Sequence, residues 1–337
     1  MESTQTSASW FRRWGIYLHE MFQPGSRLVF SALTTLGLGW AVQVLQGQGV
    51  NMAWVGSGPP VHYDYLTLGA RFVLGTVSVF LVLLYYRLCD EFKDIDTDRE
   101  HFPERPVPSG RVELRDLLQM KIVATLLAFG LNLLFPLALL PFMALWIFAW
   151  LMGKWFFLPD IIGRNRLLAF ITHSPISLLG SFYVIALFRQ PGEGVLNLPL
   201  LSLPYFLLAL WFALPGMAWE VARKTRAPEH EAAGYQIYSS MLGYRGAAAL
   251  PPFFTLAELG IGLWLARTLG LPFWWNPALA LVSLAYILPF VLFLRQPLQR
   301  EAWLKPASEA YTVLLLIGLP LALVQGRSVI WWPAGGF

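Results

Sequence analysis

The chain has 337 residues, of which 56% are hydrophobic and only 13% charged, with a mean hydropathy of +0.55. That balance excludes an ordinary soluble domain and matches a polytopic helical membrane protein; the alternating strands of a transmembrane barrel are not in evidence. A net charge of +4 gives no reason to invoke nucleic acid, and a single cysteine, Cys89, excludes a disulfide framework and a cysteine-based zinc cluster.

Residues 1–26 begin polar and then place Trp10, Phe11, Arg12, Arg13, Trp14 and Tyr17 close together. No apolar core of a cleavable signal follows the arginines. The segment reads as a short interfacial helix at the headgroup level. Apolar runs of spanning length then recur at 28–46, 66–88, 115–134, 136–152, 166–188, 198–219, 247–267, 277–295 and 308–325. Phe135-Pro136 alone separates the third from the fourth, which predicts a tight helical hairpin. Pro204 and Pro215 lie inside the sixth, where neighbouring helices can satisfy the freed carbonyls. The expectation is an all-α polytopic integral membrane protein: nine transmembrane helices in one bundle around a central cavity open to the cytoplasmic face. Residues 27–327 form that single domain, and 328–337 form a short outer tail.

Basic residues sort by membrane side. Arg12, Arg13 and Arg27 precede span one, and Lys93, Arg99, Arg105, Arg111 and Arg115 lie between spans two and three. Lys154 and Arg164 follow span four, Arg223, Lys224, Arg226 and Arg245 follow span six, and Arg300 and Lys305 follow span eight. The opposite side offers Arg189, Arg267 and Arg327, with Arg71 near its edge. The positive-inside rule then predicts a cytoplasmic N-terminus and an outer C-terminus, where Trp331-Trp332-Pro333 fits an aromatic belt. A bacterial cytoplasmic membrane is the expected home. The charged stretches after spans two and six must emerge on the same face and can converge on one cavity.

The stretch after span two runs Asp90-Glu91-Phe92-Lys93-Asp94-Ile95-Asp96-Thr97-Asp98, followed by Arg105-Pro106-Val107-Pro108-Ser109-Gly110. If the helix continues, Asp90, Asp94 and Asp98 project from one face, because each fourth residue turns only about 40° around the axis. Three repelling carboxylates at a membrane rim call for a cation. Carboxylates with open positions suit Mg²⁺, which shares its shell with substrate phosphates. The competing account is a solvated loop in which Lys93, Arg99 and Arg105 neutralise the acids.

This pattern resembles the first aspartate-rich motif of the UbiA superfamily of intramembrane prenyltransferases, Asn-Asp-x-x-Asp-x-x-x-Asp with Arg-Pro-Leu-Pro-Ser-Gly downstream. Asp90 stands where the family has Asn and Glu91 where it has Asp, while Asp94 and Asp98 match. The family's second motif follows span six, where this chain has Glu220, Arg223, Lys224, Glu229, Glu231, Ala233-Gly234, Tyr238 and Leu242-Gly243. Glu220 stands in for the first aspartate, and Lys224 occupies the place of the next carboxylate. The resemblance implies Mg²⁺ held by Asp90, Glu91, Asp94, Asp98 and Glu220, with Glu229 or Glu231 as a further ligand. It also implies diphosphate contacts from Lys121, Arg223 and Lys224. Arg105, within the downstream motif, and Tyr238 join the expected substrate-binding set. Arg27 can reach the cavity or anchor the chain at the interface.

Two further residues belong to no matched motif. His173 falls within span five, either as a buried histidine bonded to a carbonyl or as a group that orients or deprotonates the acceptor. Glu258 lies midway along span seven, so it is expected to be protonated, paired or facing a cavity. The function implied is Mg²⁺-dependent ionisation of an allylic isoprenyl diphosphate, with Asp90, Asp94, Asp98, Glu220 and Lys121 catalytic. Transfer to an aromatic or other lipophilic acceptor would follow, within the lipid bilayer. A terpene cyclase using the same ionisation is the alternative, and a non-enzymatic transporter or lipid-binding scaffold is a third reading.

Overall fold

The computed structural model describes residues 9–47, 50, 68–189, 202–231 and 235–326. Among them there is no strand. Helix α1 (Trp10–Tyr17) runs through a π turn into α2 (Pro24–Leu45), and α3 spans Leu68–Lys93. Short α4 (Ile95–His101) follows, then α5 (Leu114–Asn132), α6 (Pro136–Met152), α7 (Arg166–His173) and α8 (Pro175–Leu187). The chain closes with α9 (Leu203–Ala222), α10 (Tyr238–Leu269), α11 (Trp275–Arg295) and α12 (Pro297–Gln325).

Local chemistry sets the boundaries. Pro136, Pro175 and Pro297 sit in the first turns of α6, α8 and α12, where a missing N–H costs nothing. Glu113 and Asp116 form a capping box at the start of α5, and the Asn165 side chain accepts from Leu168 N–H at the start of α7. Gly270, left-handed at φ 62°, stops α10.

Every predicted span has a helix. Seven helices, with α7 and α8 taken together, are long and apolar enough to cross a membrane among the described residues. The other two are α6, with 17 residues, and α5, whose 19 residues include Arg115, Asp116 and Lys121. Differences concentrate at the charged end. α10 starts at Tyr238 and α12 at Pro297, about a third of a helix earlier than their apolar runs, because polar and charged residues continue each helix where hydropathy alone cannot see it. The tail after Gly326, with Trp331-Trp332-Pro333, lies outside the described residues, as do Ala233 and Gly234.

The helices form a closed ring of neighbours. α2 packs on α3, α3 on α5, α5 on α6, α6 on α8, α8 on α9, and so in turn through α12, which returns to α2. Large apolar side chains such as Leu126, Leu281 and Leu321 face outward on its rim, as a lipid-embedded bundle requires. Small residues set the closest approaches: a Cβ at Gly39 would come within 2.8 Å of Phe72, and one at Gly262 within 2.6 Å of Leu279. The interfacial helix expected near the N-terminus is α1, clamped to α5 by Arg13, whose Nε and Nη2 donate to Asp116 at 2.6 and 2.8 Å.

Candidate active site at the charged end of the bundle

Two helix ends build the site. α3 delivers Asp90 and Lys93 on its last turn, and Asp94 sits at the break before α4, with φ −103° and ψ 11°. α9 delivers Glu220, and Arg223 and Lys224 follow directly. Lys93 Nζ lies 2.9 Å from Asp90 Oδ1. Glu220 uses both oxygens: Oε2 accepts from Arg223 and Oε1 from Lys224 at 2.7 Å, while Tyr238 Oη donates to Oε1 at 3.4 Å. The two clusters act on each other. Lys224 is among the charges felt by Asp90 and by Asp94, and Asp94 also feels Arg166 from the start of α7. Arg27 of α2 feels Arg223, so it too belongs to this end.

Burial and neighbouring charges set the direction in which the groups outside the spans shift. Burial pushes the Asp94 carboxyl above the usual carboxylate range; Lys93 opposes the shift and Asp90 adds to it. The Asp94 carboxyl has no ion-pair or hydrogen-bond partner among the described residues. Burial also pushes the Lys224 ammonium down to about 8, against the pull of Glu220. For Arg223 burial again works against the charge, but Glu220 more than compensates and the guanidinium rises. The result is a half-buried patch rich in cations, with one unpartnered carboxyl beside a paired one.

The UbiA prenyltransferase family model matches residues 49–313. The chain belongs to this family. Two solved structures share its fold. One, a digeranylgeranylglyceryl phosphate synthase, is 15% identical with a TM-score of 0.62, over 93% of this chain and 99% of that one. The other, a UbiA homologue from Aeropyrum pernix K1, is 16% identical with a TM-score of 0.52, over 88% and 96%. No curated protein matches the sequence.

In this UbiA family member the expected single face of carboxylates is divided. The helix breaks at Asp94, and Glu91 and Asp98 fall into a second cluster. Glu91 is buried and pairs with Arg87 at 2.5 Å, and Asp98 is buried and pairs with Arg105 Nη1 at 2.7 Å. Arg105 also stacks over Phe102, so its partner here is a carboxylate and an aromatic ring. Glu229 is exposed on the turn Pro228–His230, and it is Glu301 of α12 that holds this turn, accepting from Ala227 N–H at 2.7 Å and bonding His230 Nδ1 at 2.8 Å. Lys121 lies elsewhere, with its Nζ 5.0 Å from the Tyr85 ring and 5.6 Å from that of Phe92. It lines a separate cavity of about 170 Å³ with Cys89, Leu118, Trp150 and Lys154.

His173 does reach the site: Lys93, Asp90 and Glu220 are the charges that act on its ring. Glu258 is paired, accepting from Tyr311 at 3.1 Å within α10 and α12. Three participants went unread in the sequence. Arg166 directly follows the helix-capping Asn165, Arg87 sits four residues before Glu91, and Glu301 lies in a run that hydropathy assigns to no helix. The first two carry the signal of a charge at the end of an apolar span.

Among the described residues no three His, Cys, Asp or Glu groups gather closely enough to share a metal ion. A four-carboxylate cage is therefore not what this donor set offers. Asp90 and Asp94 form a pair, and Mg²⁺ binds through one or two carboxylates with water and phosphate oxygens completing its shell. The unpartnered, charge-disfavoured Asp94 is the group that fits such an ion.

Proposed function

We propose that this protein is an intramembrane prenyltransferase that ionises an allylic isoprenyl diphosphate and passes the prenyl group to a lipophilic, aromatic or hydroxylated acceptor. The observation that carries the reading is the convergence of Asp90 and Asp94 with Glu220, Arg223 and Lys224 at one end of an apolar bundle. Asp90 and Asp94 would hold Mg²⁺, which when bound neutralises charge on the departing diphosphate. Arg223 and Lys224 bind the diphosphate oxygens as fixed cations, and Glu220 keeps both in place from below. Arg166 and Arg27 add positive potential at the mouth. Apolar walls exclude water from the allylic cation, and aromatic rings near the site shield it. The sorting of Lys and Arg supports a cytoplasmic location for this end and for the N-terminus.

The test uses purified protein with labelled geranyl, farnesyl and geranylgeranyl diphosphates, in Mg²⁺ or EDTA, with and without a membrane lipid extract. Diphosphate release that needs Mg²⁺ and falls about 10²-fold in Asp94→Asn is the expected result. Release with a cyclic product in the absence of extract would replace transfer by cyclisation. No release from any donor, even with extract present, would overturn the enzymatic reading.

A further inference from the structure

His173 ends α7, and three neighbours fix its imidazole. The Trp155 and Phe156 rings lie 5.4 and 5.8 Å from it, centroid to centroid. Both come from a segment with an unusual backbone: Trp155, Phe156 and Phe157 have φ of 51°, 52° and 61°, three consecutive non-glycine residues in the left-handed region. Such strain persists only where surrounding structure holds it, and it clusters at functional sites. Here it presses two aromatic rings against one histidine. The same Trp155 ring carries the Lys93 ammonium 4.4 Å from its centre, so that cation is engaged by Asp90 and the ring.

The third neighbour bears on the tautomer. Thr172 Oγ1 lies 2.8 and 3.2 Å from the Leu168 and Ala169 carbonyls, either of which can take its one proton. In that arrangement the 3.0 Å contact with His173 Nδ1 is one in which Nδ1–H donates and Thr172 accepts. The proton of the neutral ring then sits on Nδ1, and Nε2 carries a bare lone pair. That Nε2 is buried and has no hydrogen-bond partner among the described residues. A buried acceptor without a donor is costly to keep.

We propose that Nε2 of His173 is the base that receives the acceptor's proton, and that the acceptor reacts through a hydroxyl group. The assignment rests on the prenyl-transfer reading above. The bond from allylic carbon to diphosphate oxygen breaks, and its electron pair leaves with diphosphate. The acceptor oxygen forms a new carbon–oxygen bond, and its O–H proton moves to Nε2, giving an imidazolium with Nδ1–H still bonded to Thr172. The ring returns the proton to water when the product ether leaves. A hydroxyl fits because it donates to Nε2 in the ground state and gives up that same proton at the moment of attack.

The experiment combines a spectroscopic and a kinetic readout. Protein labelled with ¹⁵N in its imidazoles is studied in micelles, and the His173 signals are assigned by their loss in His173→Gln. Wild type, His173→Gln and His173→Phe are then given labelled geranyl, farnesyl or geranylgeranyl diphosphate in turn, with Mg²⁺ and a membrane lipid extract. The expected result is an Nδ1-protonated tautomer in wild type. In both variants ether formation should fall about 10²- to 10⁴-fold, by far more than diphosphate release does, and prenyl alcohol should rise as a share of product. A proton on Nε2 overturns the proposal irrespective of activity, which keeps it testable if a variant fails to fold. So does ether formation that survives in His173→Gln, a wild-type product joined through carbon, or a parallel fall of release and transfer. Wild type that releases no diphosphate from any donor brings down the prenyl-transfer reading itself, and this assignment with it.

Discussion

Lys224 is held between opposing influences: burial disfavours its charge, Glu220 favours it, and Arg223 and Arg166 disfavour it again. With its ammonium pushed down to about 8, it is charged at neutral pH and neutral in mild alkali. The sign for catalysis is direct. A cation that binds diphosphate is present below that value and lost above it, so kcat/KM for the donor should fall with an alkaline limb near pH 8. Lys224→Arg should move the limb upward, because guanidinium stays charged; a limb that stays in place would show that another group titrates. The sign for stability is opposite. Between about 8 and the ordinary lysine value near 10.4 the unfolded chain binds more protons, so this residue's contribution to stability rises with pH. Arg87 answers to a different argument. Its partner Glu91 is buried at 2% exposure within α3, and Arg87→Met leaves that carboxylate without its guanidinium. The melt should show a loss of about 3–5 kcal/mol, and the double variant Arg87→Met, Glu91→Met should recover most of it. Equal losses in the single and double variants would mean the pair contributes through packing alone.

At the level of elements, the start of α10 links backbone conformation to the charged cluster. Gly243 has φ 68° and ψ 154°, a region essentially closed to residues with a Cβ, and it divides α10 into a short first turn and a long shaft. That first turn carries Tyr238 onto Glu220 and places the Ser239 hydroxyl to accept from Arg226 N–H at 3.1 Å. Gly243→Ala meets no neighbour within 4 Å, so its effect is conformational only. It should cost about 1–3 kcal/mol in the melt and raise KM for the donor, since Arg223 and Lys224 lean on the same Glu220. An alanine variant with unchanged stability would mean that the turn relaxes freely. The sequence announces this glycine only as part of a Leu-Gly pair; its handedness is invisible without coordinates. The same limit explains the divided carboxylates. A period of four correctly marks Asp90 and Asp94 as neighbours, but a break of the helix at Asp94 sends Asp98 to Arg105, and nothing in the spacing forecasts a break. The helices themselves were legible because apolar runs of spanning length leave few alternatives. Arg166 and Glu301 were not, since their roles depend on which helices become neighbours.

Across the whole molecule, the ring of helices brings the ends of α3 and α9 together without packing them side by side. α3 lies chiefly against α2 and α5, whereas α9 lies against α8, α10 and α12. What passes between their charged ends is electrostatic: Lys224 acting on Asp90 and Asp94 across the site. A ligand that satisfies both ends would therefore tie together two parts of the bundle that share little direct contact. Inorganic pyrophosphate with Mg²⁺ is the smallest probe with that property, because the metal suits the carboxylates of α3 and the phosphate oxygens suit the cations after α9. A ligand bound only to the folded state stabilises it by RT ln(1 + [L]/Kd), about 2.7 kcal/mol at one hundred times Kd. The melt of purified protein in micelles should shift upward when both are present, and little with Mg²⁺ alone or with pyrophosphate in EDTA. Asp94→Asn should abolish the part that depends on metal, and Lys224→Met should weaken the shift by raising Kd for pyrophosphate. Pyrophosphate in EDTA that stabilises as strongly as the pair would place the anion on Arg223 and Lys224 without help from α3. The two helix ends would then serve separate tasks, and the assignment of Asp90 and Asp94 to the metal would fall.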